Sequence, residues 1–182
     1  YEIMPSLVGS EMCIRDSINT ITEERSIREV LNLNSWNYAA SYKASRIYME
    51  DVKKEYPSLK YFIDLHRDSL KKNKTTIQIG DKSYAKIIFL IGLENANYQK
   101  NLAFTEEINN KIGEKYPGLS KGIYKKGGAG VNGVYNQDFS PYTILIEIGG
   151  YENTTSEVLN TVLAISEVIS EVIINNEQKE LG

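Results

Sequence analysis

Two apolar segments each run into a polar group that could do chemistry. The first, residues 60–68, reads KYFIDLHRD and contains His66, the only histidine of the 182-residue chain. The second, residues 143–150, reads TILIEIGG and carries a single carboxylate, Glu147. A neutral imidazole is a good zinc ligand, and a carboxylate beside a metal-bound water can accept the proton of that water. These residue types therefore point to hydrolysis, with His66 as a metal ligand and Glu147 as a general base.

Both segments have the composition of strands, and strand geometry would bring their polar ends together. Alternation along the first strand puts Asp64 and His66 on one face. The first segment is apolar on both faces, which is typical of a central strand that is covered on both sides. Ligands of open α/β sheets bind beyond the carboxyl ends of the strands, and His66 and Glu147 lie at such ends. Because the neighbours of Glu147 along its strand are apolar, we expect desolvation to raise its pKa.

Structural roles for these residues stay open at this point. A lone histidine at a strand end is more often hydrogen bonded within the protein than bound to a metal. Glu147 could form a salt bridge with Arg67 or a lysine, because an unpaired buried carboxylate costs several kcal/mol or becomes neutral. The other polar residues, which could pair with one another or cap a turn, are Asp64, Arg67, Asp68, Asn136 and Gln137.

The remaining pattern predicts strands that alternate with helices. Helices are predicted over residues 41–56, 97–116 and from the capping box of Thr154 and Glu157 onward. Strands are predicted over residues 60–65, 87–91, 119–124 and 142–148, with a hairpin over residues 75–90 that turns at Gly80 and Asp81. Residues 20–22 could form an edge strand, residues 26–33 a helical turn, and residues 71–74 and 127–130 are predicted loops. This alternation predicts an α/β protein, a three-layer αβα sandwich with a mixed central sheet.

Composition excludes several classes of protein. A net charge of −3 gives no basic footprint for nucleic acid. No apolar run approaches the ~20 residues that a membrane span needs. Residues 1–17 show no helical or strand period, residues 6–17 resemble a translated sequencing adapter, and we interpret residues 1–17 as a non-native or disordered leader. That leader contains the single cysteine, Cys13, so the remainder lacks cysteine, which is compatible with export.

Four motifs together resemble the stage II sporulation protein P family. They are IDLHRD at residues 63–68, KYPG at residues 115–118, YNQDFSP at residues 135–141 and LIEIGGYENT at residues 145–154. The resemblance implies a zinc-dependent N-acetylmuramoyl-L-alanine amidase with a type 3 amidase-like fold. Such an enzyme cleaves the amide between N-acetylmuramic acid and L-alanine of peptidoglycan, and also peptide cross-links. It implies an extracytoplasmic place at the engulfing septal membrane, an N-terminal membrane anchor and a sporulation protein D-type glycan lyase as partner.

By the same resemblance, the site residues take specific roles. His66 would be a zinc ligand and Glu147 the catalytic base, and the residues that would bind substrate are Arg67, Asp68, Asn136 and Gln137. The family also has an upstream His-Thr-His-x-x-Glu-like motif, which is not found before His66. We therefore expect residues 18–175 to be a partial amidase domain that lacks its first strand and helix, followed by a polar tail over residues 176–182.

Such a fragment is expected to bind zinc weakly or not at all and to be nearly inactive, because one histidine cannot hold a catalytic zinc ion tightly. The alternative function is a non-catalytic module that binds the cell wall or a partner protein. A third interpretation is an unrelated small α/β domain, which a large distance between Glu147 and His66 would support.

Overall fold

The structure is a computed structural model that describes residues 18–181. The interpretation of residues 1–17 as a leader falls outside this part of the chain. The helices are α1 (Ile27–Leu33), a short 3₁₀ helix (Tyr38–Ala40), α2 (Ser41–Glu55), α3 (Lys72–Thr75), α4 (Tyr98–Lys115) and α5 (Thr155–Leu181). The strands are β1 (Tyr61–Asp68), β2 (Thr76–Ile79), β3 (Lys82–Ala85), β4 (Ile87–Gly92), β5 (Ser120–Lys126) and β6 (Tyr142–Gly150).

The central sheet is mixed, as predicted. Its four strands lie in the order β1-β6-β4-β5. β1 runs parallel to β6, β4 runs parallel to β5, and β4 is antiparallel to β6. β2 and β3 form a separate antiparallel hairpin. Helices flank the central sheet, so the predicted αβα sandwich is confirmed.

Alternation along β6 separates the core from the polar face. Ile144, Ile146 and Ile148 are almost fully buried and belong to one cluster with apolar residues of α4 and α5. Glu147 therefore points to the opposite face of the sheet. This second face is covered by α2 and the chain before β6, where Phe62 meets Phe139 edge to face at 4.9 Å between ring centroids.

The entry to α5 is fixed by the predicted capping box. The Thr154 N–H donates to Glu157 Oε2 at 2.8 Å, and the Glu157 N–H donates back to Thr154 Oγ1 at 3.2 Å. Immediately upstream, a side chain at Gly150 would collide with the carbonyl of Leu70, so the end of β6 requires glycine. The two features together turn the chain sharply from the sheet into its last helix.

The structure differs from the predicted elements at several places. Within the described residues β1 pairs only with β6 and is half-buried apart from Phe62, so in this part of the chain it is an edge strand where a central strand was predicted. Residues 72–75 form one helical turn where a loop was predicted, and residues 20–22 form no strand. The long second arm of the predicted hairpin divides at Lys86, because β4 leaves the hairpin and joins the central sheet.

The last helix continues through the residues that were predicted to be a polar tail. Its final turns are held against the start of β1, where Lys60 Nζ lies 3.1 Å from Glu177 Oε1 and 2.9 Å from Glu180 Oε2. The Tyr61 hydroxyl also donates to Glu177 Oε1 at 2.7 Å. The polar residues at the end of α5 thus remain helical, since Glu177 and Glu180 bind residues at the start of β1. Of the helices in residues 18–181, none is both long and apolar enough to cross a membrane.

Candidate active site

The structure brings His66 and Glu147 together. They occupy directly opposed positions of the parallel strands β1 and β6. Neighbouring strands lie about 4.8 Å apart and side chains at opposed positions of parallel strands share a face, so the imidazole and the carboxylate stand side by side. A large separation of these residues would have supported the interpretation as an unrelated domain, and their register places them next to each other instead.

His66 is held by a carboxylate of its own strand. Its Nε2 lies 3.0 Å from Asp64 Oδ2. Burial alone would lower the pKa of His66, but the hydrogen bond with Asp64 and the charges of Asp64 and Glu147 outweigh burial and raise the pKa above its ordinary value. The site thus favours an imidazole with a proton on Nε2, and this N–H donates a hydrogen bond to Asp64.

Glu147 is the least satisfied polar group of the site. Its Oε2 atom is buried and has no hydrogen-bond partner within residues 18–181. Burial raises the pKa of Glu147, the charges of Asp68 and Asp64 raise it further, and His66 opposes them. The rise expected from the apolar strand is confirmed, and a carboxylate with a raised pKa is a stronger base. The alternative salt bridge from Arg67 or a lysine is not formed in this part of the chain.

Two tyrosines that sequence reasoning missed line the same site. Tyr42, in the first turn of α2, stacks on His66 with ring centroids 6.0 Å apart and planes 15° apart. Tyr135 packs its edge against Tyr42 at 5.4 Å. Burial raises the pKa of Tyr42, helped most by the charge of Asp64. These contacts join residues far apart in sequence, and the only available signal was that Tyr135 is the first residue of the YNQDFSP motif.

The turn that carries Tyr135 has a strained backbone and is held in place by hydrogen bonds. Tyr135 and Asn136 have φ angles of 52° and 54°, the left-handed region that residues other than glycine rarely adopt. Such a residue costs about 1–3 kcal/mol and persists only where its surroundings hold it, although asparagine tolerates the region better than tyrosine does. The Asn136 amide donates to the Tyr42 carbonyl at 2.8 Å and to Ser45 Oγ at 2.9 Å, which ties the turn to α2.

Gln137 ties the same turn to the sheet. It is fully buried, accepts from the Gly92 N–H at 2.8 Å and donates to the Leu90 carbonyl at 2.7 Å. Both of its polar atoms are therefore used on β4. Asn136 and Gln137 do more than cap a turn locally, since they connect it to two distant elements, and their role in binding substrate stays a prediction.

Arg67 and Asp68 also make contacts within the protein. The Arg67 guanidinium donates to the carbonyls of Gly150 at 2.9 Å and Asn153 at 2.8 Å, on the far side of the end of β6. Asp68 Oδ1 accepts from the Leu70 N–H at 3.1 Å. Arg67 thus braces the chain after Glu147. Substrate binding by Arg67 and Asp68 stays a prediction.

The described residues do not fit a complete zinc site. No group of three or more His, Cys, Asp or Glu side chains between residues 18 and 181 is arranged to hold a metal ion. The Nε2 atom of His66 is directed to Asp64. A catalytic zinc ion usually takes three protein ligands, and this part of the chain offers one imidazole.

Two comparisons with known proteins point to the same family. The model of the family "Stage II sporulation protein P (SpoIIP)" matches residues 7–170. The chain is 39% identical over 155 residues to the "Stage II sporulation protein P" of Bacillus subtilis (strain 168), an alignment that covers 85% of this chain and 39% of that protein. The chain thus spans well under half the length of this relative. No solved structure gives a significant match.

Proposed function

The chain belongs to the stage II sporulation protein P family, a family of sporulation proteins, and on that basis we propose that it forms part of a peptidoglycan hydrolase. The proposed reaction is hydrolysis of the amide between N-acetylmuramic acid and L-alanine of the stem peptide, with peptide cross-links as a further substrate. The observation that supports it best is the buried, unpartnered Oε2 of Glu147 at the position directly opposite His66.

The geometry supports a general-base role for Glu147. A water molecule beside its unpartnered oxygen would lose a proton to the carboxylate as the water oxygen attacks the amide carbon. The same carboxyl group would then return this proton to the departing amine nitrogen, so that no net proton is lost. The raised pKa of Glu147 suits both steps, because a group that is too acidic would accept the first proton poorly.

Zinc belongs to this proposal for the whole protein rather than for the described residues. His66 would be one ligand, and the other two would have to come from outside residues 18–181. The outer edge of β1 is unpaired within the described chain and lies next to His66, so a further element added there could reach this face of the sheet. We expect the chain by itself to bind zinc weakly and to hydrolyse little peptidoglycan.

The proposed cellular setting rests on family membership alone. The parent protein would act outside the cytoplasmic membrane, at the septal membrane during engulfment. It would be anchored there through an N-terminal segment and would work with a glycan lyase of the sporulation protein D type.

A chimera tests the catalytic proposal. In it, this chain replaces the aligned segment of the Bacillus subtilis relative, and release of stem peptides from purified sacculi is measured in the presence of zinc. Glu147→Gln should lower the hydrolysis rate by at least about a hundredfold, the effect of removing a general base. The exposed Glu106→Gln on α4 is the matched control. Full hydrolysis by the Glu147→Gln chimera would refute the assignment.

A non-catalytic module that binds the cell wall or a partner is the second candidate. It is favoured by the lack of a three-residue metal cluster within residues 18–181. This candidate predicts that the chain sediments with sacculi equally well after Glu147→Gln and His66→Ala, and that the chimera shows no hydrolysis that depends on Glu147.

A further inference from the structure

Tyr135 has an unusual position for a residue that only packs. Its backbone is in the left-handed region. The turn is held by the Tyr135 N–H, which donates to Asn132 Oδ1, and by the side chains of Asn136 and Gln137. Strain of this kind is found mostly where a side chain must be held for a task. None of these hydrogen bonds involves the Tyr135 side chain. They fix the backbone, and therefore the position of the ring, without using the hydroxyl.

Gly92 makes room for this ring. A Cβ at Gly92 would come within 3.0 Å of Tyr135 Cδ2 and would collide with the Gly133 carbonyl oxygen. The ring therefore lies close over the end of β4, with its edge on Tyr42. Tyr42 in turn stacks on His66. The rings of Tyr42 and Tyr135 thus form an aromatic wall beside the imidazole, with Tyr42 next to His66 and Tyr135 behind Tyr42.

The Tyr135 hydroxyl is available to a ligand. Within residues 18–181 it has no hydrogen-bond partner, whereas several other tyrosines of the chain use theirs. Those whose hydroxyls bond within the protein are Tyr48, Tyr61, Tyr116 and Tyr142. Gly92, which the ring overlies, is on the same face of β4 as Ile88, and Ile88 is directly opposed to Glu147, so the Tyr135 ring lies on the Glu147 face of the sheet. Burial raises the pKa of Tyr135, and the phenol therefore keeps its proton and can donate it in a hydrogen bond.

We propose that Tyr135 is a substrate-binding residue whose hydroxyl donates a hydrogen bond to the carbonyl oxygen of the scissile amide. The inference rests on the proposed function, because it takes the amide between muramic acid and alanine as the ligand. Glu147 and Tyr135 would act on different atoms of this amide. Glu147 presents a carboxylate for the attacking water, and Tyr135 presents the donor that the same amide needs on its oxygen. Fixed donors aimed at such an oxygen stabilise the charge that develops on it.

The test measures binding, so it does not require the chain to be active. The probe is the soluble muramyl dipeptide N-acetylmuramoyl-L-alanyl-D-isoglutamine, titrated into the isotope-labelled chain and followed by amide chemical shifts. Tyr135→Phe keeps the ring and removes only the hydroxyl. Losing one neutral hydrogen bond should raise Kd about three- to tenfold. Tyr116→Phe, which removes the hydroxyl of a half-buried tyrosine at the end of α4, should leave Kd unchanged, and thermal unfolding checks that both variants fold.

A second ligand tests which group the hydroxyl contacts. The free dipeptide L-alanyl-D-isoglutamine lacks the lactyl carbonyl, so the chain and Tyr135→Phe should bind it equally. The proposal is overturned if Tyr135→Phe binds the muramyl dipeptide as tightly as the unchanged chain. It is also overturned if the free dipeptide shows the same difference, or if the unchanged chain gives no saturable shift. Hydrolysis that survives Glu147→Gln in the chimera would instead refute the general base and leave the binding result intact.

Discussion

Replacing Glu147 with glutamine should stabilise the fold while removing the proposed base. The carboxylate is half-buried, its Oε2 has no partner among the described residues, and Asp64 and Asp68 add negative charge nearby. A buried polar group without a partner costs about 1–3 kcal/mol. Solvent reaches part of this carboxylate, and glutamine remains polar, so we expect a gain of about 1 kcal/mol, the low end of that range. For a chain of this size the gain corresponds to a rise in Tm of about 2–4 °C.

The pH dependence of this gain has a definite sign. The folded-state pKa of Glu147 is raised above its ordinary value of 4.5, first by burial. Above the raised pKa the carboxylate is charged in both states, and the folded state bears the full penalty. As the pH falls through the folded pKa, the native protein takes up the proton first and the penalty disappears. Protonated His66 also offsets the charge of Glu147 in acid, so the advantage of glutamine should vanish on acidification.

Urea unfolding of the chain and of Glu147→Gln, followed by circular dichroism, measures the difference at about pH 8 and about pH 4. The exposed Glu106→Gln serves as control and should change the free energy of unfolding by less than about 0.5 kcal/mol. A lower stability of Glu147→Gln at the higher pH would refute the reasoning, as would a gain that is equal at both pH values. A residue that weakens the fold and is required for hydrolysis has the trade-off expected of a catalytic group.

Two further substitutions test the frame around the site. Glu157→Ala should cost about 2 kcal/mol at neutral pH, since it breaks the 2.8 Å ion pair of the buried Glu157 with Lys72. Burial alone would raise the pKa of Glu157, but hydrogen bonds led by that from Lys72 lower it below its ordinary value of 4.5. The cost should therefore be full above that value and shrink as the pH falls through the lowered folded pKa in urea titrations. Arg67→Lys should cost about 1–2 kcal/mol by the same assay, because lysine cannot reproduce the fork to the carbonyls of Gly150 and Asn153; unchanged stability would show that these bonds do not brace β6.

Local pattern was enough to predict much of the fold. The 3.6-residue period of α4, the apolar run of β6 and the capping box of α5 are each encoded within a few residues, and each was confirmed. Lateral position in the sheet was not encoded in this way. The apolar sequence of β1 shows that it packs, but whether it has one strand neighbour or two depends on the rest of the chain. The end of α5 was missed for a related reason, because its polar residues are held by Lys60, more than a hundred positions away.

The residues of the candidate site also differ in whether local pattern could predict them. His66 and Glu147 were predicted to meet because both lie at carboxyl ends of strands, and sheet geometry brings such ends together. Tyr42 and Tyr135 were missed because a helix turn and a loop meet there through tertiary contacts alone. The sequence Tyr135-Asn136 gives no sign of two successive left-handed residues, since tyrosine does not favour that conformation.

Several departures from local rules meet at the candidate site. A carboxylate stands in an otherwise apolar strand, a histidine and an aspartate share an edge strand, and a tyrosine adopts a conformation that suits glycine. Other places follow the rules, as at the helix cap of Thr154 and the glycine at the end of β6, and isolated departures such as the positive φ of Ser35 stand apart from one another. Proteins tolerate such violations mainly at functional sites, where packing alone gives no reason for them. Random drift would scatter the violations over the surface, whereas here Tyr42 contacts both His66 and Tyr135, and His66 lies opposite Glu147.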